Sequence, residues 1–136
     1  MRRAFTLVEI LIVVVVLGIL AAIVVPSIVN ASDDASEAAT ITELGKLRRA
    51  VDAYKARENS LPDVTAGDGT WGGLVSSDYL TAPPVNAWVG RATGRNIVLR
   101  ATPDVAFQDI YGWIYDPATG AVWAGGYDLQ DTPFAK

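Results

Sequence analysis

The chain has 136 residues, which is enough for one domain, and 51% of them are hydrophobic against 19% charged. It contains no cysteine and no histidine, which excludes disulfide scaffolds, thiolate zinc sites, cysteine nucleophiles and histidine acid–base catalysis. The formal net charge of −4 argues against a nucleic-acid-binding surface.

The N-terminal quarter of the chain contains a long uncharged segment. Residues 10–32 are 23 consecutive residues without a charged side chain. A helix of that length, rising 1.5 Å per residue, is about 35 Å long and exceeds the roughly 30 Å hydrocarbon core of a bilayer. Arg2 and Arg3 precede it, and positive residues favour the cytoplasmic side. These features predict one membrane span, with the rest of the chain exported. Pro26, which has no amide hydrogen, predicts a kink or local unwinding.

A secretory signal peptide is the alternative explanation of this segment. Val29-Asn30-Ala31 before Ser32 fits the small-residue cleavage site of such a peptide. Against it, the apolar stretch is longer than the roughly 7–15 residues of a signal peptide. Glu9 also lies between the basic start and the apolar stretch, and a carboxylate at mid-membrane costs about 2.5–3.5 kcal/mol, less near the interface. Glu9 therefore requires a partner.

The residues at the start of the chain form a specific pattern. Residues 2–12 read Arg-Arg-Ala-Phe-Thr-Leu-Val-Glu-Ile-Leu-Ile. This pattern resembles the cleavage and methylation segment of type IV pilins and of the pseudopilins of type II secretion. The resemblance implies that a prepilin peptidase removes residues 1–4, and that Phe5 becomes the N-methylated first residue. Glu9 then stands fifth, where the family keeps a carboxylate, and Pro26 stands where the family helix bends. The family usually has glycine before the cut, whereas this chain has Ala4.

The position of Glu9 suits an assembly role on physical grounds. Cleavage creates an ammonium group at Phe5, one turn before Glu9, and a carboxylate in the first helical turn complements the helix dipole by about 0.3–1 kcal/mol. In an apolar bundle, the amine of a neighbouring chain can pair with Glu9 and set the axial stagger between subunits. Buried ionic groups are best attested in such register-fixing roles. The alternative is that Glu9 only extends to the membrane interface.

A second helical pattern follows the apolar segment. Apolar residues at steps of three or four predict an amphipathic helix with a buried stripe of Ala38, Ile41, Leu44, Leu47, Val51 and Tyr54. Glu43–Lys46 and Arg48–Asp52 have the spacing of ion pairs on its surface. The helix is expected to end near residues 59–60, because the residue before Pro62 is biased away from the α conformation.

The rest of the chain is rich in glycine, proline and aromatic residues, and it contains all four tryptophans. Residues 63–73 form a glycine-rich connection that lacks the Gly-Lys-Ser/Thr ending of a phosphate-binding loop. A short helical turn is expected within residues 74–80, and a strand within residues 96–101.

The clearest local signal is a β-hairpin. Two β-rich runs, residues 111–115 and 121–124, flank the loop Asp-Pro-Ala-Thr-Gly, which predicts a type I turn with a positive φ at Gly120. Tyr111, Trp113 and Tyr115 share one face of the strand, which favours an aromatic core over a ligand platform. The predicted fold class is α+β and pilin-like, with one long N-terminal helix and a small antiparallel sheet packed on its C-terminal half.

The order of residues after the long helix is similar, more loosely, to the major pseudopilin of type II secretion. The similarity lies in residues 54–62, 74–80 and 83–86, and the lack of a cysteine pair also favours a pseudopilin over an adhesive or motility pilin. The calcium loop of that pseudopilin near its C-terminus has no clean match here. Asp128 and Asp131 offer oxygens, but calcium takes roughly six to eight. Surface acids are therefore the favoured interpretation, and no cofactor is expected.

No arrangement for catalysis is found in the sequence, and we predict that the chain is not an enzyme. Arg91, Arg95 and Arg100 form a basic cluster in the exported region, for which DNA or phosphate headgroups are candidate contacts. Loss of Arg2 and Arg3 with the leader takes the net charge from −4 to −6, which disfavours nucleic acid as a partner.

These observations predict four segments: a leader (1–4), the membrane-spanning and filament-core half of the helix (5–29), its amphipathic half (30–60) and an exported β-rich region (61–136). The resemblance implies a structural subunit of a type II secretion pseudopilus or a type IV pilus-like filament. Its implied partners are further copies of itself, the prepilin peptidase, an inner-membrane assembly platform and minor pseudopilins. The implied location is the inner membrane with a periplasmic C-terminal region, and then a filament that spans the envelope or reaches the surface. The alternative is an exported or membrane-anchored binding domain with an ordinary signal peptide or signal anchor.

Overall fold

The computed structural model describes residues 5–65 and 69–136. The expected leader, including Ala4, and three residues of the glycine-rich connection lie outside the described residues. The elements in chain order are α1 (Leu7–Glu58), α2 (Gly73–Ser76), β1 (Ile97–Leu99), β2 (Trp113–Tyr115) and β3 (Val122–Ala124). The chain divides into two compact units, Met1–Asp34 and Ala35–Lys136, and α1 contributes residues to both.

The long helix expected from the sequence is α1. Its last turn contains Lys55 and Arg57, whose charges are favourable at the negative end of the helix dipole. Asn59 follows with a φ of 52°, the left-handed conformation that terminates many helices. The helix therefore ends where the sequence predicts.

Pro26 lies inside α1, and the helix continues through it. Because proline has no amide hydrogen, the carbonyl four residues earlier has no donor from this position. In the same turn the Ser27 hydroxyl donates to the Val24 carbonyl at 2.8 Å. The bend at Pro26 stays a prediction.

The three strands form one mixed sheet in the order β1-β2-β3. β2 and β3 are antiparallel, with Ile114 opposite Trp123, as the predicted hairpin requires. β1 and β2 are parallel, with Val98 opposite Ile114, so the prediction of a purely antiparallel sheet is wrong. The reason is the connection from Leu99 to Trp113, which has the dozen or so residues that a parallel crossover needs.

The hairpin turn is built on Asp116. The Gly120 amide donates to the Asp116 carbonyl at 2.8 Å, and Gly120 has the predicted positive φ, 81°. The Asp116 carboxylate accepts hydrogen bonds from the Thr119 hydroxyl at 2.6 Å and the Ala118 amide at 2.9 Å. These bonds lower the pKa of Asp116 below its ordinary value, because they favour the charged form.

The buried face of α1 within Ala35–Lys136 differs from the predicted stripe. Ala38 and Ile41, which the stripe included, are exposed, and Tyr54 is half buried. The buried residues of α1 are Thr40, Leu44, Leu47, Ala50 and Val51. A threonine is tolerated on this face because its hydroxyl is hydrogen-bonded to Asn86 at 3.1 Å.

The core of Ala35–Lys136 is aromatic, as predicted for the hairpin strand. Trp71, Trp113, Tyr115 and Tyr127 are fully buried and pack with Leu44, Leu47 and Leu74 of the helices. The rings of Trp71 and Tyr115 meet edge to face, with centroids 5.8 Å apart. The Tyr115 hydroxyl donates to the Pro62 carbonyl at 3.1 Å, and the Trp113 indole donates to the Pro84 carbonyl at 3.2 Å. The aromatic side chains therefore connect the sheet to the loops before it.

Candidate assembly site

The N-terminus of α1 is closed by a capping box made of Thr6 and Glu9. Glu9 Oε2 accepts hydrogen bonds from the Thr6 amide at 2.8 Å and from the Thr6 hydroxyl at 2.9 Å. In return, the Thr6 hydroxyl oxygen accepts from the Glu9 amide at 3.3 Å. The sequence signal was Thr-x-x-Glu before an apolar run, which the sequence analysis did not use. Glu9 thus has a local role in starting the helix, in addition to any role between chains.

All the described residues from Phe5 to Ser32 are exposed. Large apolar side chains are exposed around the whole helix, for example Leu7 at 82%, Ile23 at 69% and Val16 at 49%. The helix is long and apolar enough to cross a membrane, by length and composition. A helix that is apolar all round is stable only when lipid or other protein covers it. This surface therefore favours an apolar environment such as lipid or other protein.

The structure places the predicted site residues as follows. Phe5 is 80% exposed and lies two residues before the first residue of α1. Glu9 is in the first turn and is bound to Thr6, and Pro26 is exposed in the interior of the helix. Cleavage after Ala4, methylation of Phe5 and pairing between chains remain predictions.

The predicted basic cluster is divided in the structure. Arg91 and Arg95 line an open surface cavity of about 930 Å³ together with Val85 and Asn96. Arg100 instead binds Asp104, with Nη2 2.5 Å from Oδ1. One of the three arginines is therefore used within the fold, which weakens the interpretation of the cluster as a single anion-binding surface.

Asp104 is a buried polar centre that the sequence analysis did not identify. Besides the bond from Arg100, its carboxylate accepts hydrogen bonds from the Tyr111 hydroxyl at 2.6 Å, the Gln108 side-chain amide at 3.0 Å and the Gly126 backbone amide at 2.8 Å. Burial raises the pKa of Asp104, but these four hydrogen bonds outweigh burial and hold the pKa below its ordinary value. The crossover between β1 and β2 is thereby joined to the segment after β3.

Asn86 is a second centre of this kind. It is fully buried, and its Nδ2 donates to the Gly112 and Gly125 carbonyls at 2.8 and 2.9 Å. Its Oδ1 accepts from the Thr40 hydroxyl at 3.1 Å and from the amides of Trp88 and Val89 at 2.9 and 3.3 Å. One side chain therefore links α1, the loop before β1 and both sides of the β2–β3 hairpin.

The acidic pair considered for calcium is engaged with the protein. Both Asp131 oxygens are bound to Arg48, at 2.5 and 2.9 Å. Asp128 Oδ1 accepts from the amides of Gln130 and Thr132 at 2.9 and 2.8 Å. Among the described residues, no group of three or more acidic side chains converges as a metal site would require. These two carboxylates do not fit a calcium ion, which takes roughly six to eight oxygen ligands.

Residues 1–25 match the family model of the prokaryotic N-terminal methylation motif. The chain carries this motif. It is also similar to proteins named type II secretion system core protein G, over 66 residues that make up 48% of this chain. The protein from Pectobacterium carotovorum is 36% identical over 42% of its own length, that from Vibrio cholerae 38% over 45%, and that from Pseudomonas aeruginosa 40% over 46%.

The methylation motif and these relatives confirm the resemblance that the first residues indicate. The chain spans less than half the length of the curated relatives named above. No solved structure gives a significant match.

Proposed function

We propose that this protein is a structural subunit of a type II secretion pseudopilus or a related type IV pilus-like filament. The observation that carries the proposal is the exposed apolar first half of α1, most of which lies within a prokaryotic N-terminal methylation motif. Lipid covers this surface before assembly, and the helices of sister subunits cover it in the filament. Burial of each large apolar side chain is worth about 1.5–3 kcal/mol, so neither state leaves the helix in water.

Processing precedes assembly in this proposal. A prepilin peptidase cleaves after Ala4 on the cytoplasmic side, and the new N-terminus at Phe5 is methylated. The exposed position of Phe5 and the motif over residues 1–25 support this step. The chain then stays in the inner membrane through residues 5–29, with its C-terminal region in the periplasm, until an assembly platform adds it to the filament with minor pseudopilins.

Glu9 directs the stagger between subunits. In the filament its carboxylate pairs with the Phe5 amine of a neighbouring chain, in apolar surroundings where an uncompensated charge is costly. The capping box supports this role because it holds the carboxylate at the start of the helix, where a neighbour's terminal amine can approach. Glu9 therefore acts both within its own chain and between chains.

The processing step is tested by the intact mass and N-terminal sequence of the protein from host membranes. We expect loss of residues 1–4 and a methyl group on Phe5. A product that begins at Ser32 would instead identify a secreted domain with a cleaved signal peptide, and would overturn the filament proposal. The bond that would be cleaved in that case, between Ala31 and Ser32, lies inside α1.

The role of Glu9 is tested with Glu9→Gln and Glu9→Ala. Glutamine keeps an oxygen that can accept from Thr6, as a capping box allows, but it removes the charge. We expect both variants to be inserted and cleaved normally and to give little filament in sheared fractions. Ser27→Ala, which removes another polar group from the same apolar helix, is the matched control and should assemble normally. Normal filament yield from Glu9→Gln would show that Glu9 is only a cap.

A further inference from the structure

The segment after β3 folds back on itself in a tight loop. Tyr127 and Pro133 form an antiparallel bridge, and the Phe134 amide donates to the Gly126 carbonyl at 2.9 Å. At the tip, the Asp128 amide donates to the Thr132 carbonyl at 3.0 Å, while the Asp128 side chain accepts two backbone amides from the same loop. We call residues 127–133 the C-terminal loop.

The tip of the C-terminal loop is attached to α1 by one side chain. Arg48 Nη1 and Nη2 bind the two oxygens of Asp131 in a bidentate pair at 2.5 and 2.9 Å. Arg48 Nε and Nη2 also donate to the Val122 carbonyl in β3, at 3.1 and 2.9 Å. A single guanidinium therefore joins the helix, the last strand and the loop.

The surroundings of Asp131 favour this attachment. Asp131 has a φ of 61°, a left-handed conformation that aspartate adopts more readily than most residues other than glycine. Its side chain is 29% exposed, and that of Arg48 is 39% exposed, so the pair is partly withdrawn from water. Without Arg48, the loop would keep a partly buried, uncompensated carboxylate.

We propose that the Arg48 guanidinium takes the place of a structural cation at the C-terminal loop, so that this loop closes without calcium. The donor set supports this directly. Both oxygens of Asp131 bind Arg48, and Oδ1 of Asp128 accepts two backbone amides, so these two carboxylates offer far fewer free oxygens than the roughly six to eight ligands of a calcium ion. A planar guanidinium suits this position because its fork matches a carboxylate and still has donors for a backbone carbonyl.

The Arg48–Asp131 pair, which we call the clamp, is a property of the folded chain. Its test does not depend on filament assembly. The full chain, purified in detergent, is unfolded by heat while tryptophan fluorescence is recorded, since all four tryptophans lie after residue 60. Wild-type protein is compared in excess EDTA and in millimolar calcium chloride. An ion that binds the native state raises the Tm of the protein. Because the proposed loop does not bind calcium, we expect the two Tm values to agree within about 1 °C.

The second part of the experiment substitutes Arg48 and Asp131. We expect Arg48→Gln and Asp131→Asn each to lower the Tm by about 5–15 °C, and their double variant to lower it by clearly less than the sum. Arg48→Lys keeps the charge but not the fork, and should fall between wild type and Arg48→Gln. Arg49→Gln makes the same charge change one residue away, at an exposed position, and should leave the Tm nearly unchanged.

Two results would overturn the proposal. One is a rise of several degrees in the wild-type Tm on addition of calcium, reversed by EDTA, because the loop would then bind the ion despite Arg48. The other is an equal Tm for Arg48→Gln and Arg49→Gln, because the guanidinium would then hold nothing in place. If Arg48→Gln does not fold, Arg48→Lys and Asp131→Asn decide the question with the same controls.

Discussion

Asn86 is a residue at which a small change should strongly lower stability. Replacement by alanine removes five hydrogen bonds from a fully buried position. Some of the former partners keep another bond, because the Trp88 amide still donates to Thr40 and the Gly112 carbonyl still accepts from the Gly125 amide. The Val89 amide and the Gly125 carbonyl lose the bond to Asn86, and no other partner is recorded for them in the described part of the chain.

The magnitude follows from those two groups. An orphaned buried polar group costs about 1–3 kcal/mol, so two of them cost about 2–6 kcal/mol, with a further contribution from the cavity. A domain of this size has about 5–15 kcal/mol of stability, so Asn86→Ala should remove a substantial part of the free energy of unfolding. Asn86→Asp should be at least as harmful near neutral pH, because a carboxylate cannot donate to the Gly112 and Gly125 carbonyls.

The pH dependence of Asn86→Asp provides an internal check. Burial should raise the pKa of the introduced carboxyl in the folded state. The variant should therefore lose the least stability at a pH where this carboxyl is protonated. The deficit relative to wild type should therefore be smallest at acid pH and grow as the pH rises through the folded pKa. Urea unfolding followed by tryptophan fluorescence gives the free energies. Asn96→Ala and Asn96→Asp are matched controls, because Asn96 makes one long side-chain bond of 3.4 Å to the Ile110 carbonyl. A loss below about 1 kcal/mol for Asn86→Ala, or no difference from Asn96→Ala, would refute this reasoning.

Two further predictions concern other parts of the same core. Asp104 has a pKa below its ordinary value, so its stabilising contribution is present above about pH 4 and is lost as the pH falls through the folded pKa. Asp104→Asn should therefore lower the Tm at pH 7, and the difference in Tm between variant and wild type should shrink in acid. Gly112→Ala should cost about 1–3 kcal/mol or more, because a Cβ there would overlap the backbone of Gly94. Gly45→Ala, in the helix interior with its Cβ 3.5 Å from the flexible Arg49 guanidinium, should instead stabilise by about 0.5–1 kcal/mol in the same urea assay.

Features set by local sequence were predictable. The end of α1 before Asn59, the hairpin with its glycine at positive φ, and the strand at residues 97–99 all depend on neighbours within a few residues. The apolar helix and the methylation motif were equally predictable, because both are continuous in sequence. Such patterns need no knowledge of which distant segments meet.

Features set by distant contacts were not predictable. Arg48 has the spacing to pair with Asp52, yet among the described residues it pairs with Asp131, 83 positions away. A bidentate, partly buried pair wins over an exposed pair on one helix, which is worth only about 0.3–0.5 kcal/mol. The parallel pairing of β1 with β2 and the roles of Asn86 and Asp104 were missed for the same reason. Polar residues in loops carry no periodic signal that identifies a buried position.

Under the proposed function, we expect stability and assembly to depend on separate groups of residues. Within Ala35–Lys136, aromatic packing and the polar centres at Asn86, Asp104 and Arg48 stabilise the fold through contacts inside the chain. The described apolar residues from Phe5 to Val29 are exposed, and we propose that lipid or other subunits cover them. Substitutions at Asn86 or Arg48 should therefore change the Tm in detergent, whereas Glu9→Gln should change filament yield and leave that Tm unaltered. A Glu9→Gln variant that fails to assemble because its exported region unfolds would contradict this separation.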